Sequence, residues 1–449
     1  MTPRCILAIC YEFPPQVVAG AIWTGKLLQA VQAQGWQIDV LSGFPQPEMP
    51  QASSLHYVPH RWPHQVAGFL QRWKLDKLTD FFIWPDPSQF WIRSATRRAM
   101  QIIEETKPDL ILNFMMPYAA GQVGLALQQQ TGLPLVYCFS DSQSCTDMHP
   151  FFPTVFHYHH ARRLEDAYVR AADRVVYVSQ FNADLVRSRQ APVHQGKFRV
   201  VRLGAEPAEF APRGEPAADP TRFRIIYTGT FSGWHDWHQT RPWLSRCKRW
   251  WDELGRYKVA QLDYRTHSPI YIGHAMQQVL ARHPEWQGRL HLDIYGPQTC
   301  SLDYARKVLA SQKLDHLITV HGKVSRDEIT YHTRQADLLF HGVQARVDGS
   351  PGGRIASKTY EYLMTDRPIL AAVPLGENWN YYLHQPGVFL VHPHDTSAMT
   401  TALEQVASSW FSGTPLRFDR STLLPELNYA HRGQQLSDIL QEVLDDKNK

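Results

Sequence analysis

"CILAICYEFPPQVVAGAIWTGKLLQAVQAQGWQIDVLSG", residues 5–43, shows in one stretch how the chain is built. "CILAICY" is an apolar run of strand length, and a run without polar alternation reads as a strand buried on both faces. The loop "EFPPQVVAG" leads into a helical pattern over "AIWTGKLLQAVQAQG", with Gly35 placed as its C-cap. "WQIDVLSG" is a second strand. Apolar strands alternating with helices indicate a parallel sheet covered on both sides.

The same alternation continues outward through "PDLILNF", a helix over "AAGQVGLALQQQTG", the strand "LPLVYCFSD", a helix around "RRLEDAYVRAAD" and the strand "RVVYVS". Gly204 to Arg222 is rich in Pro, Ala and charge and reads as a linker. The pattern then restarts. "FRIIYTGT", "LHLDIYG", "HLITVHG", "ADLLFHG", "RPILAAVP" and "VFLVHP" are strands, with helices between them that include "ASKTYEYLM". The expected organisation is an N-terminal domain over 1–205, a linker over 206–222 and a C-terminal domain over 223–412. An insert near 234–266 interrupts the second domain, and a closing segment over 413–449 returns to the first. The fold class is α/β, with two Rossmann-like doubly wound domains. Ligands in such sheets bind beyond the carboxyl ends of the strands.

At 449 residues the chain exceeds one ordinary core. A hydrophobic share of 43% with 20% charged residues fits a soluble globular protein, expected in the cytoplasm. Net charge is +4 without a long basic tract, so nucleic acid is not the expected partner. The six cysteines are scattered with no C-x-x-C pair, which excludes a zinc ribbon or dense disulfide framework. "HYHH", residues 157–160, lacks a companion Cys or carboxylate cluster and reads as a helix face rather than a metal site. The insert is rich in tryptophan. Trp243, Cys247, Trp250, Leu254 and Tyr257 fall on one helical stripe flanked by Arg246, Lys248, Arg249, Arg256 and Lys258. An aromatic and basic helix of this kind is expected either to dock on its own domain or to touch an acidic membrane peripherally.

"YEFPPQVVAGA", "FFIWPDPSQFW", "YVRAADRVVYVSQFNADLV", "VVRLGAEPAEFAP", "IIYTGTFSG" and above all "IASKTYEYLMTDRPILA" occur in an order that resembles the large retaining family of nucleotide-sugar glycosyltransferases, family 4. The resemblance covers nearly the whole chain. It implies the GT-B fold, two Rossmann-like domains facing each other across a cleft, with the acceptor on the N-terminal side. It implies transfer of a hexose from a nucleotide-diphosphate sugar, as co-substrate, to an acceptor that is a saccharide, a lipid-linked glycan or a small molecule, with no cofactor and no metal. A sugar-nucleotide epimerase or hydrolase on the same fold, or a non-catalytic sugar-nucleotide-binding partner protein, are the alternatives. The base is left open among uracil, guanine and adenine.

The resemblance also assigns roles. Glu361 accepts from the ribose hydroxyls, and Lys358 meets the diphosphate. The charge logic stands independently: a lysine opening a helix is unfavourable until an anion arrives. The plain alternative is a Lys358–Glu361 pair at i,i+3. The family commonly has two glutamates with seven residues between them, and here the first position is Gly353. The loop "GSPGGR", which holds Gly352, Gly353 and Arg354, is expected to offer backbone amides instead. Gly20 and the pair Gly229–Thr230 lie in equivalent strand-to-helix loops, with amides expected to face the ligand. Gly296 and Val324 occupy the base-contacting positions. On the acceptor side Asp141, at the end of "LVYCFSD", is the candidate carboxylate, with His149 further on and a helix-capping aspartate as the alternative. No D-x-D occurs, so cations are expected to do what a metal does elsewhere.

Overall fold

The computed structural model describes residues 4–16, 18–44, 54–59, 81–144, 147, 150–212, 219–237, 250 and 254–447. They pack into two compact units. Unit 1 comprises 1–203, 250–260 and 429–449, and unit 2 comprises 204–249 and 261–428.

Unit 1 is built on a seven-stranded sheet: β1 (Cys5–Cys10), β2 (Gln37–Ser42), β3 (Ser54–Tyr57), β4 (Leu110–Phe114), β5 (Leu135–Phe139), β6 (Arg174–Tyr177) and β7 (Phe198–Val200). All pairings are parallel, in the order β3-β2-β1-β4-β5-β6-β7. Successive β1 side chains feed opposite layers, as strand periodicity requires. Ile6, Ala8 and Cys10 join one buried cluster, Leu7 and Ile9 the other. Helix α1 (Ala19–Gln32) lays Trp23, Leu27, Leu28, Ala30 and Val31 on the first of these layers. The helix closes at Gln32, three residues before Gly35, whose φ of 92° makes the left-handed turn into β2. Helix α2 (Val155–Ala171) starts at Thr154, whose hydroxyl caps the His157 amide.

Unit 2 repeats the plan with β8 (Phe223–Thr228), β9 (Leu290–Tyr295), β10 (Ile318–Gly322), β11 (Leu338–Gly342), β12 (Ile369–Ala372) and β13 (Val388–Val391). The order is β10-β9-β8-β11-β12-β13, again parallel throughout. In each unit the strand order reverses beside its first strand, between β1 and β4 and between β8 and β11. These are the two switch points where such sheets take ligands. Helix α3 (Arg326–Arg334) opens with a full capping box from Ser325 and Glu328, and α4 (Ser357–Leu363) is a helix of seven residues.

The last helix, α5 (Tyr429–Lys447), belongs to unit 1 and packs along α1. Gly433 makes that approach possible, since a Cβ there would lie 2.5 Å from the Ala30 Cβ. Trp36 Nε1 donates to Ser437 Oγ at 2.8 Å across the same contact.

The insert does not continue as one helical stripe. Trp243, Cys247, Arg246, Lys248, Arg249 and Trp251 lie outside the described residues. Leu254 N–H donates to Trp250 O, but Gly255 takes φ +77°, which ends helical backbone. Tyr257–Lys258 is then a short strand paired antiparallel with Phe151–Phe152 in unit 1. The remaining insert tryptophans are core: Trp234 is fully buried in unit 2, and Trp237 packs against the same cluster.

Candidate functional site

The switch point of unit 2 carries cations that form no ion pair among the described residues. β8 ends at Thr228, and Gly229 follows with φ +127°. Lys358, second residue of α4, reaches the same place: a Cβ on Gly229 would sit 2.7 Å from Lys358 Nζ. A side chain at 229 would be strained by the backbone and would displace the ammonium. Lys358 Nζ lies 4.8 Å from the Tyr227 ring centroid, so the ring face holds the cation without neutralising it. Burial lowers the Lys358 pKa from 10.5 to about 8, the Arg354 charge pushes the same way, and Glu361 opposes them. Among the described residues neither Lys358 nor Arg354 makes an ion pair. The i,i+3 pair between Lys358 and Glu361 does not form.

Two histidines face the same charges. His341, near the end of β11, is fully buried, and its Nδ1 lies 2.8 Å from the Tyr382 hydroxyl. Its Nε2 is buried with no hydrogen-bond partner. His267 meets Ser232 Oγ at 2.8 Å through Nδ1 and Tyr227 Oη at 3.4 Å through Nε2. Burial holds both imidazoles well below the usual histidine range. The Lys358 and Arg354 charges reinforce this for both, and His267 adds to it for His341. The site therefore holds two cations and two neutral imidazoles.

Backbone donors complete it. The N–H groups of Gly353, Arg354, Ile355 and Ala356, and those of Ser357 and Lys358 in the first turn of α4, donate to nothing among the described residues. Ala356 at the N-cap offers no side-chain acceptor to that turn. Elsewhere in the loop the amides are committed: Gly352 donates to Leu375 O, Gly349 to Arg346 O and Ser350 to Asp348 Oδ1. Only the part of the loop from Gly353 onward can thus serve as the expected amide cradle.

Glu361 is buried in α4 but occupied. Its Oε1 accepts from Arg326 Nη2 at 2.9 Å, and Arg326 also reaches Glu209 Oε2 at 2.7 and 3.1 Å. The guanidinium lies over the Phe210 ring at 4.9 Å. Glu361 Oε2 accepts no hydrogen bond among the described residues, so one oxygen remains for a ligand.

Gly229 and Gly296 do not present their amides to a ligand. Gly229 N–H donates to Tyr295 O at 2.6 Å and Gly296 N–H to Gly322 O at 2.7 Å, extending the sheet. A Cβ on Gly296 would meet the Gly229 carbonyl at 2.8 Å, so these glycines let adjacent strand ends approach. The Thr230 carbonyl accepts from Tyr227 Oη at 3.1 Å. Val324 is half-buried just before the N-cap of α3.

In unit 1 the expectation for Gly20 changes. Gly20 is the second residue of α1, not a loop residue, and its bare Cα makes room for Glu12: a Cβ there would lie 2.6 Å from Glu12 Oε2 and 3.0 Å from Met116 Cε. Glu12 follows β1 and Met116 follows β4, so this is the switch point of unit 1. Burial, and then Asp86, raise the Glu12 carboxyl above its ordinary range. Asp141 lies two residues past β5 and accepts weakly from Asn182 Nδ2 at 3.4 Å. Behind it Glu165, fully buried, is held by Ser142, Ser144, Tyr177 and Arg189. His149 lies outside the described residues. Among the described residues no three His, Cys, Asp or Glu side chains converge as metal ligands, and His157 of the "HYHH" run bonds to Thr154 and the Phe81 carbonyl.

Residues 21–209 match the Glycosyltransferase Family 4 model. Sucrose-phosphate synthase from Thermosynechococcus elongatus superposes with a TM-score of 0.62 at 13% identity, over 99% of this chain and 100% of that one. The chain shares the GT-B fold. An α,α-trehalose-phosphate synthase (UDP-forming) from Burkholderia vietnamiensis shares the fold with TM-score 0.60 at 13% identity, over 98% and 100% of the two chains. An E. coli trehalose-6-phosphate structure bound with UDP-2-fluoro glucose does so with TM-score 0.60 at 11% identity, over 97% and 98%. No curated protein matches the chain in sequence.

Sequence reasoning missed Glu12, His267, His341 and Arg326. His341 stands near the end of "LLFHG" and Glu12 just after "CILAICY", so their place at strand ends was a usable signal. Arg326 gave none, because only folding brings α3 to Glu361.

Proposed function

We propose that the protein is a glycosyltransferase that moves a hexose from a nucleotide-diphosphate sugar to an acceptor hydroxyl, with retention and without a metal. The observation that carries this is Lys358: a half-buried ammonium at a switch point, beside Arg354, with no carboxylate partner among the described residues. The Arg354 charge works against the charged state of Lys358, and a diphosphate would pair with both side chains at once. In this reading the diphosphate lies against Lys358, Arg354 and the free amides from Gly353 onward. Glu361 Oε2 accepts from the ribose.

As the bond from the anomeric carbon to the diphosphate oxygen breaks, that oxygen gains negative charge. Lys358 and Arg354 stabilise it more in the transition state than in the ground state, which is where rate is gained. The acceptor oxygen bonds to the anomeric carbon, and its proton passes to the departing phosphate. His267 and His341 stay neutral, so they donate or accept without repelling the substrate's counter-cations. On the acceptor side, the Glu12 and Asp141 carboxylates at strand ends of unit 1 suit hydrogen bonds from hydroxyl groups.

The test is nucleoside-diphosphate binding by calorimetry, followed by turnover of the matching sugar donor. Binding that persists unchanged in both Lys358→Met and Arg354→Met variants would remove the diphosphate from this place.

A further inference from the structure

The first turn of α2 exposes what a soluble surface ordinarily hides. Phe156 is 79% exposed, and Val155 beside it is exposed too. Phe82, 73% exposed, belongs to the same surface: it packs edge-on against Phe81 at 5.1 Å, and Phe81 contacts the His157 ring at 5.1 Å. His157 Nε2 lies 3.0 Å from the Phe81 carbonyl and fixes the two segments together. Ring contacts run on beneath it through half-buried Trp84, buried Phe152 and half-buried Tyr158 to exposed Tyr257. All of these residues lie in unit 1.

The described segments that form this patch carry charge of one sign. On α2 the next exposed positions after Phe156 are His159, His160 and Arg163, at the i+3, i+4 and i+7 spacing that puts them on one face. Segments 81–84, 154–163 and 254–258 hold Arg162, Arg163, Arg256, Lys258 and three histidines, and no Asp or Glu. A helix face that runs from an apolar tip to cations matches the boundary between acyl chains and anionic headgroups. It does not match a second copy of itself, because a two-fold interface would bring the same cations together.

We propose that this surface, led by Phe82 and Phe156, seats unit 1 on an anionic lipid membrane. The aromatic rings enter the headgroup–acyl boundary, and Arg163 and Lys258 meet lipid phosphates. The contact is peripheral: among the described residues no helix is long and apolar enough to cross a membrane. It is led by residues outside the insert, shares Arg256, Tyr257 and Lys258 with the insert residues that suggested membrane contact in the sequence, and does not depend on the donor site.

Co-sedimentation of the full chain with vesicles of phosphatidylcholine alone, or of phosphatidylcholine with phosphatidylglycerol, tests it. The wild type should partition onto the anionic vesicles and be released by high salt. Phe82→Ser with Phe156→Ser should lower partitioning by about tenfold or more, with an unchanged thermal melt because both side chains are already exposed. Arg163→Glu with Lys258→Glu should lower it independently. Absence of wild-type binding, equal binding to phosphatidylcholine alone, or a double phenylalanine variant that binds like wild type would each overturn the proposal. So would a wild-type dimer that the phenylalanine variant converts to monomer without any vesicle binding.

Discussion

The two switch points of this molecule are built on one topology and carry opposite charge. In unit 2 the space beside the first strand holds Lys358 and Arg354, with two neutral histidines behind them. In unit 1 the equivalent space holds Glu12, with Asp86 near enough to raise its carboxyl. Each contains a glycine that gives up its Cβ to a charged side chain, Gly229 to Lys358 and Gly20 to Glu12. The repeated sheet thus supplies a location, and the chemistry depends on which side chain the neighbouring loops deliver. A cationic end suits a leaving diphosphate, and a carboxylate end suits hydroxyl groups.

The most severe test of this contrast is Lys358→Met, which keeps the stem and removes the charge. Turnover should fall by about two to three orders of magnitude, as when one preorganised donor is lost from a developing anion, with a smaller change in donor KM. Unchanged kcat in steady-state assays would leave the cationic end without a function. Gly229→Ala attacks the same group indirectly. Left-handed strain of about 1–2 kcal/mol and the crowding of Nζ should lower kcat/KM by roughly tenfold or more, and a wild-type value would show that Lys358 has other places to go.

Glu361→Ala should weaken nucleoside-diphosphate binding by about tenfold, the order expected for one hydrogen bond to a charged group. Calorimetry that finds wild-type affinity would remove the ribose role. Because Arg326 keeps Glu209, the fold should survive.

The pH dependence sharpens the electrostatics. Lys358 has a folded-state pKa of about 8 against 10.5 for the free side chain. The unfolded chain therefore holds the extra proton between those values, and this group's contribution to stability rises with pH through that window. A bound diphosphate raises the lysine pKa again. Nucleoside-diphosphate affinity should consequently fall as pH rises above about 8, with proton uptake on binding in that range. Calorimetry in buffers of different ionisation heat should detect the uptake in wild type and lose it in Lys358→Met. The smallest expected effect lies on the other side: Asp141→Asn and Glu12→Gln should leave nucleotide affinity unchanged while slowing transfer. A shift in nucleotide affinity in either variant would break the division between the two ends.

Much of the architecture was legible because buried parallel strands are written as continuous apolar runs. "FRIIYTGT", "LHLDIYG", "HLITVHG", "ADLLFHG", "RPILAAVP" and "VFLVHP" contain β8 to β13. β7 and the ribbon joining 151–152 to 257–258 were not, since pieces of two or three residues are too short to show a period. The insert misled for a related reason. Trp250, Leu254 and Tyr257 have helical spacing, and spacing does not reveal that Gly255 turns left-handed.

At the candidate site, local pattern was enough to place Lys358 and Glu361 on one short helix near a strand end, because both belong to one continuous segment. What each one touches was decided by tertiary structure. Arg326 is 35 residues from Glu361 in the chain, and it takes the carboxylate that i,i+3 spacing offered to Lys358. That left the ammonium to the Tyr227 ring and to the gap above Gly229. Periodicity and charge pattern report on neighbours along the chain. Electrostatic pairing is settled by distance in space, so only the folded chain could show which cation lacks a partner.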